Sequence, residues 1–246
     1  MGKTIVFTSG KGGTGKTTAV AAVSSCLAAL GSRVLCVDCD VGLGNLDLAL
    51  GLAGTASTDL GDVILGGRPL SEAAQPHPEI PGLWFLAAPL ALRAEDIPGD
   101  GMERVLQEAA AAFDFVLLDS SAGVGAGFEL ARCHADMAVL VSTWDATALR
   151  DGQKAVFLLY ESGVSEVRLL ANRVQPGVFR KTGFTLDDMI DAVGARLLGA
   201  VPEDPAVQQA VFRQMALALY GGTPASRAFL RAAKRLRGED VPLGRI

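Results

Sequence analysis

The stretch Gly10-Lys11-Gly12-Gly13-Thr14-Gly15-Lys16-Thr17 leaves this chain little choice of fold. It fits the pattern GxxxxGK[ST] and lies between an apolar run, Thr4–Phe7, and a long helical pattern, Lys16–Leu30. A strand before and a helix after form the setting in which that pattern cradles phosphate. Glycines let backbone N–H groups converge on phosphate oxygens, and the helix N-terminus adds the positive end of its dipole. Lys16 then reaches the β- and γ-phosphates, and the Thr17 hydroxyl takes one position on a Mg²⁺ ion. Gly10, Lys11, Gly12, Gly13, Thr14, Gly15 and Thr18 complete the candidate nucleotide-binding loop. The competing reading is a Gly-rich turn with no ligand; strand, loop and helix in register weigh against it.

Short apolar runs alternate with helical patterns along nearly the whole chain, which is the mark of βαβ units and a parallel sheet. Thr4–Phe7, Val34–Val37, Trp84–Ala87, Phe115–Leu118, Ala138–Val141, Arg168–Ala171 and Leu197–Val201 read as strands. Several are apolar throughout, as strands covered on both faces should be. Gly31 suits the C-terminal end of the first helix, and Ser162-Gly163 closes a second over Ala146–Glu161. Gln75–Pro81 reads as a loop by its prolines. The expected architecture is one α/β P-loop NTPase domain over residues 1–237 with a short tail, 238–246. Its sheet should be mostly parallel and doubly wound, with about seven strands flanked by helices.

Composition narrows the function. Half of the 246 residues are hydrophobic, enough for one substantial core, and the formal net charge of −5 argues against a nucleic-acid coat. Lys3–Thr8 runs as a strand straight into the glycine loop, so no signal peptide is expected. Val6 stands where a myristoylation signal needs Ser or Thr. The apolar run Leu83–Leu92 is broken by Pro89 and falls short of the roughly 20 residues of a membrane span. Cys26, Cys36, Cys39 and Cys133 are too sparse for a disulfide framework, which points to a reducing, cytoplasmic setting. Cys36-x-x-Cys39 lacks a second pair, and its residues have opposite strand parity, so packing is preferred over metal.

Two further strands end in carboxylates. Val34–Val37 delivers Asp38 and Asp40, which share a parity, to the edge where parallel sheets bind ligands. Phe115-Val116-Leu117-Leu118-Asp119 has the Walker B form, with Asp119 placed to hold Mg²⁺, through water as that ion prefers.

The string Lys11-Gly12-Gly13-Thr14-Gly15-Lys16-Thr17-Thr18 resembles the deviant Walker A motif of the MinD/ParA family of ATPases. The resemblance makes Lys11 the signature lysine, which crosses a dimer interface to the partner's nucleotide. It implies that Asp40 positions the attacking water, that Asp38 lies near Mg²⁺, and that Lys11, Lys16 and Asp40 are catalytic. Asn172 matches the base-reading asparagine, and Val201-Pro202-Glu203-Asp204 resembles the loop over the base, with Pro202 and Glu203 as contacts. A plain strand-end turn is the alternative for Asn172. Asp151 matches an aspartate that meets the signature lysine across the dimer, and an exposed helical aspartate explains it equally well. Ser120-Ser121-Ala122-Gly123 resembles switch II, but Ser121 replaces the usual proline and Gly125 stands in place of an acidic residue. Those departures put the switch II partner surface in doubt.

Asp40-Val41-Gly42-Leu43-Gly44-Asn45-Leu46-Asp47 and Val201–Ala210 resemble the MinD branch, and the likeness covers nearly all of the chain. It implies a switch that binds ATP, forms an ATP-dependent homodimer and hydrolyses ATP to ADP and phosphate, slowly until a partner activates it. The implied role is septum-site placement, with a division-inhibitor or activator partner and a peripheral contact on the inner membrane face. Flagellar-number and ParA-like partition ATPases are the alternatives, with metal-cluster carriers behind them. The branch carries a C-terminal amphipathic helix; here residues 238–246 contain Pro242, Glu239 and Asp240 and suit one poorly. Arg227–Arg237 has an apolar seam at Phe229, Ala233 and Leu236, read either as a helix packed on the core or as a membrane helix.

Overall fold

A computed structural model describes residues 2–244. The chain runs β1 (Lys3–Thr8), α1 (Lys16–Ala29), β2 (Val34–Asp38), α2 (Leu46–Leu50), α3 (Leu60–Ile64), α4 (Leu70–Ala73) and β3 (Gln75–Pro76). It continues through β4 (Leu83–Leu86), α5 (Gly99–Ala112), β5 (Phe115–Asp119), α6 (Ala126–Arg132), β6 (Met137–Ser142) and α7 (Ala146–Glu161). The last part comprises β7 (Glu166–Val174), α8 (Pro176–Thr182), α9 (Leu186–Val193), β8 (Arg196–Pro202), α10 (Pro205–Phe212), α11 (Leu217–Tyr220) and α12 (Pro224–Leu236).

The eight strands form one sheet in the order β3-β4-β2-β5-β1-β6-β7-β8. All seven expected strands are present and parallel. The eighth, β3, lies in the segment read as a loop and pairs antiparallel with β4 through Gln75↔Phe85 and Pro76↔Trp84. Two residues carry no readable alternation, and an outer strand tolerates a proline because its donor is not needed there. The order reverses at β1, with β5 on one side and β6 on the other, so the loop after β1 opens at the point where such sheets bind ligands.

Alternate strand residues feed two cores. Val6, Leu35, Val37, Val116 and Leu118 face α3–α7 and α9, while Ile5, Phe7, Cys36, Leu117 and Val139 face α1 and α12. Cys36 and Cys39 therefore point into different cores, as their parity requires. Burial pushes the Cys36 thiol up to about 12 and Cys39 well above its ordinary value. Helix α1 is buried on nearly every side, which its alanines permit. The hydroxyls of its buried Ser24 and Ser25 donate to the Ala21 carbonyl at 3.1 and 2.6 Å. Gly31 follows it at φ 90°, a conformation that favours glycine.

Helix α12 starts with Pro224 at its first position and with Thr223 accepting the Ser226 N–H at 3.1 Å. Phe229, Ala233 and Leu236 are buried, so the packed-helix reading of Arg227–Arg237 holds and its seam is closed to a membrane. The tail turns back on α12, where Arg235 donates to the Val241 carbonyl at 2.9 Å through Nε. Residues 245 and 246 of the expected tail lie outside the described residues, as does Met1. Among the described residues no helix is long and apolar enough to cross a membrane. Phe229 is 1% exposed and wedged between α12 and the sheet. Phe229→Ala should cost about 3–5 kcal/mol, read as a lowered urea midpoint.

Candidate functional site

The phosphate loop needs glycine at Gly10, Gly13 and Gly15. Gly13 and Gly15 have φ of 81° and 89°. A side chain on Gly10 would come within 2.3 Å of the Asp151 backbone on α7, and one on Gly15 within 2.3 Å of Asn172 Nδ2. A side chain on Gly12 would meet no atom within 4 Å. The Ser9 hydroxyl donates to the Lys11 carbonyl at 3.0 Å, and Asn172 Nδ2 donates to the Thr14 carbonyl at 2.7 Å. Asn172 thus braces the loop from β7 while being buried. That is a more specific task than a strand-end turn.

Strand register brings the acidic residues together. Asp38 on β2 and Asp119 on β5 are direct partners, and Phe7 on β1 pairs with Asp119. Lys16 begins α1 and donates to Asp119 Oδ1 at 2.5 Å; the two side chains are 7% and 1% exposed. Burial raises the Asp119 carboxyl above its ordinary value, against the opposing pull of Lys16 and Thr17. Its other oxygen, Oδ2, and the Thr14 hydroxyl are buried without a hydrogen-bond partner among the described residues. An unpaired carboxylate oxygen beside the Thr17 hydroxyl suits a hard, oxygen-seeking cation such as Mg²⁺.

Asp38 stands next to this pair but is already occupied. Its Oδ1 accepts the Asp40 N–H, and its Oδ2 accepts those of Asn45 and Leu46, each at 3.0 Å. The carboxylate therefore shapes the 40–46 loop and holds Asp40, half-buried, at the rim. Burial and the neighbouring Asp119 charge push Asp38 up to about 6. An acid raised from 3.8 to about 6 on folding loses stability as pH climbs through that window. Asp119 adds in the same direction. Asp145, Glu166 and Asp204 are lowered instead, so their losses fall at more acidic pH. The nucleotide-free protein should be about 1 kcal/mol more stable at pH 5 than at pH 7, a difference readable by urea titration.

Lys11 lies on the other side of the loop. Its Nζ donates to Asp145 Oδ1 at 2.5 Å and to the Thr147 hydroxyl at 2.8 Å. Asp145 also caps α7 by accepting the Ala148 N–H at 3.0 Å. Partial burial opposes its charge, but hydrogen bonds from Lys11, Thr143, Thr147 and Ala148 outweigh it and hold the carboxyl below the usual range. Asp151, expected to meet Lys11 across a dimer, is exposed two turns further along α7, and its backbone packs on Gly10. Within one chain the lysine is held by Asp145 instead.

Beyond the loop, Gly15, Thr18, Asn172, Pro202 and Glu203 line one cavity of about 200 Å³ at the ends of β7 and β8. All of these belong to the expected nucleotide-binding set. Arg173, Val207, Gln208 and Phe229 also line it, and none of these was legible as a ligand contact. Asp204 secures the rim by accepting the N–H groups of Ala206 and Ala225, each at 3.0 Å, which ties α10 to α12. A roomier hollow of about 470 Å³ lies at the opposite end of the strands, by Lys3, Glu103, His134 and Asp136, and contains none of these motifs. In the stretch that resembles switch II, the Ser120 hydroxyl donates to the Ser121 carbonyl at 2.9 Å, and Gly123 N–H reaches the Ser9 carbonyl at 3.0 Å. Ser121, in place of the proline, packs on Gly127, and Gly125 opens α6.

Comparison with known proteins agrees with this geometry. Residues 5–217 match the CobQ/CobB/MinD/ParA nucleotide binding domain. The septum site-determining protein MinD of Thermotoga maritima is 33% identical over 246 residues, covering 99% of this chain and 91% of that protein. The chain superposes on the MinC:MinD cell division complex of Aquifex aeolicus with a TM-score of 0.92 at 32% identity, covering 99% of both. MinD of Pyrococcus horikoshii complexed with Mg-ADP gives a TM-score of 0.85 at 26% identity, covering 96% of both.

Proposed function

The chain belongs to the CobQ/CobB/MinD/ParA nucleotide-binding family, and from that premise we propose that it is a MinD-type ATPase that positions the division septum. The observation that carries this reading is the meeting of Lys16, Thr17 and Asp119 at the phosphate loop, with Lys11 on the loop's outer side. In the proposed cycle the monomer binds ATP, with phosphates on the loop and the base in the cavity beside Asn172, Pro202 and Glu203. Two monomers then pair face to face. Lys11 leaves Asp145 for the partner's phosphates, and Asp151 of the opposite subunit receives it.

Lys16 must likewise exchange Asp119 for the β- and γ-phosphates. Thr17 and Asp119 would hold Mg²⁺, with Asp38 beside them on the next strand, and the ion would supply positive charge against the phosphate oxygens. Asp40 orients the attacking water, and charge on the transferring phosphoryl group is met by Lys16, the loop amides and the partner's Lys11. Turnover is slow until a partner protein completes the site. A division inhibitor is the partner suggested by the MinC:MinD relative, and the ATP dimer contacts the inner membrane face peripherally.

Light scattering on eluted protein tests the switch. A dimer in Mg-ATP and a monomer in Mg-ADP is the expected outcome. One mass in both nucleotides, despite measured ATP binding, would overturn it.

A further inference from the structure

We propose that Arg173 holds the purine base of the bound nucleotide by laying its guanidinium against the face of the ring. The inference rests on the reading of the cavity beside Asn172 as the base site, and it names a residue of that site. Among the described residues other than glycine, only Arg173 and Gln214 have positive φ, 53° and 50°. That conformation crowds Cβ against the carbonyl that follows, so a residue with a side chain adopts it only where the surrounding structure imposes it. The cause is one extra residue in β7. Ala171 pairs with Ala200 and Val174 with Pro202, so Asn172 and Arg173 together stand opposite Val201 alone.

The bulge changes where these side chains go. Successive residues of a regular strand face opposite sides of a sheet. Here Asn172 and Arg173 line the same cavity. Asn172 is buried and turned towards the phosphate loop, with Nδ2 on the Thr14 carbonyl at 2.7 Å, while Arg173 is exposed. The strain is thus borne at the residue that adds a cation to the cavity.

Arg173 is the one cation among the described residues that line it. The carboxylates beside it are engaged elsewhere. Asp204 accepts the Ala206 and Ala225 N–H groups at 3.0 Å each, and Glu203 accepts from the Gln175 amide. The guanidinium has no carboxylate partner among the described residues. Pro202, Pro205, Val207 and Phe229 give the cavity an apolar lining. An apolar lining with one planar, weakly hydrated cation suits an aromatic ring better than a phosphate. In the proposed cycle the phosphates are already served by Lys16, the loop amides and the partner's Lys11. Stacking is indifferent to the groups on the ring edge, so Arg173 sets affinity and leaves base choice to others.

The test is titration of the full chain with Mg-ATP, Mg-ADP and inorganic tripolyphosphate. Arg173→Ala should weaken ATP and ADP binding by about three- to tenfold and leave tripolyphosphate binding unchanged. In steady-state hydrolysis KM should rise by the same factor at constant kcat. Arg173→Gly should show the same loss, with the melting temperature of the nucleotide-free protein unchanged or raised, because glycine takes positive φ freely. Arg173→Lys keeps the charge without the flat face and should recover little. Wild-type ATP affinity in Arg173→Ala overturns the proposal. So does a parallel loss of tripolyphosphate binding, or full recovery by lysine, since either assigns the cation to the phosphates. A wild type that binds ATP no more tightly than tripolyphosphate sinks the base-site reading and this inference with it. Tight ATP binding that ignores Arg173 sinks this inference alone.

Discussion

Lys16→Ala is expected to abolish measurable ATP binding and hydrolysis, the largest functional effect of any single change in this chain. Nucleotide affinity should fall at least about 100-fold, because a charge-assisted contact from a buried lysine to the terminal phosphates is lost. The same substitution removes the partner of Asp119, whose side chain is 1% exposed. Breaking a buried pair by deleting one member costs roughly 3–5 kcal/mol when the other stays charged. Asp119 already has its carboxyl raised by burial and can relieve that cost by taking a proton. The variant should therefore be folded but destabilised, and more so at pH 8 than at pH 5. Isothermal titration with ATP and urea unfolding at the two pH values separate the effects. Retention of near-normal ATP affinity would show that Lys16 does not reach the phosphates.

Lys11→Ala should act quite differently. The Lys11–Asp145 pair is open to solvent, with side chains 35% and 43% exposed, so its loss costs only about 0–1 kcal/mol of stability. ATP binding to the monomer should change little. The expected damage is to pairing: no ATP-dependent dimer, and partner-stimulated hydrolysis lower by about 10³-fold or more, the scale on which a cation supplied in trans acts. Asp145→Asn provides the counterpart. It loosens the intramolecular hold on Lys11 while keeping an α7 cap, so the dimer should form at lower ATP concentration. An Lys11→Ala protein that still dimerised in ATP and responded to its activator would refute the assigned role.

The two substitutions show where the line between sequence and structure falls. Gly10 to Thr17 is contiguous, so its glycines, lysines and hydroxyl can be read as a unit, and the flanking strand and helix follow from local periodicity. The Asp38 and Asp119 strands were equally plain, since an apolar run ending in a carboxylate needs no distant information. Seven of the eight strands were legible for the same reason. The two-residue β3 was not, because its existence depends on the edge offered by β4.

Long-range partners were hidden. Asp145 lies 134 residues from the lysine it holds, and its sequence setting suggests only a helix cap. Nothing local announced that Asp38 also binds backbone donors up to eight residues on, which it does because the chain after β2 folds back over that strand's end. The sequence left the Phe229 seam open between core and membrane, and only the packing of α12 beside β8 buries it and puts it in the wall of the cavity beside Asn172.

The sequence alone determined the nucleotide-binding family and the α/β class, because both are written in residues adjacent along the chain or repeated at short periods. The tertiary fold decided which carboxylate holds which lysine, which face of Arg227–Arg237 is buried, and how Asn172 and Arg173 come to line one cavity. Those outcomes depend on strand order and helix docking, through which residues more than a hundred positions apart come within hydrogen-bonding distance.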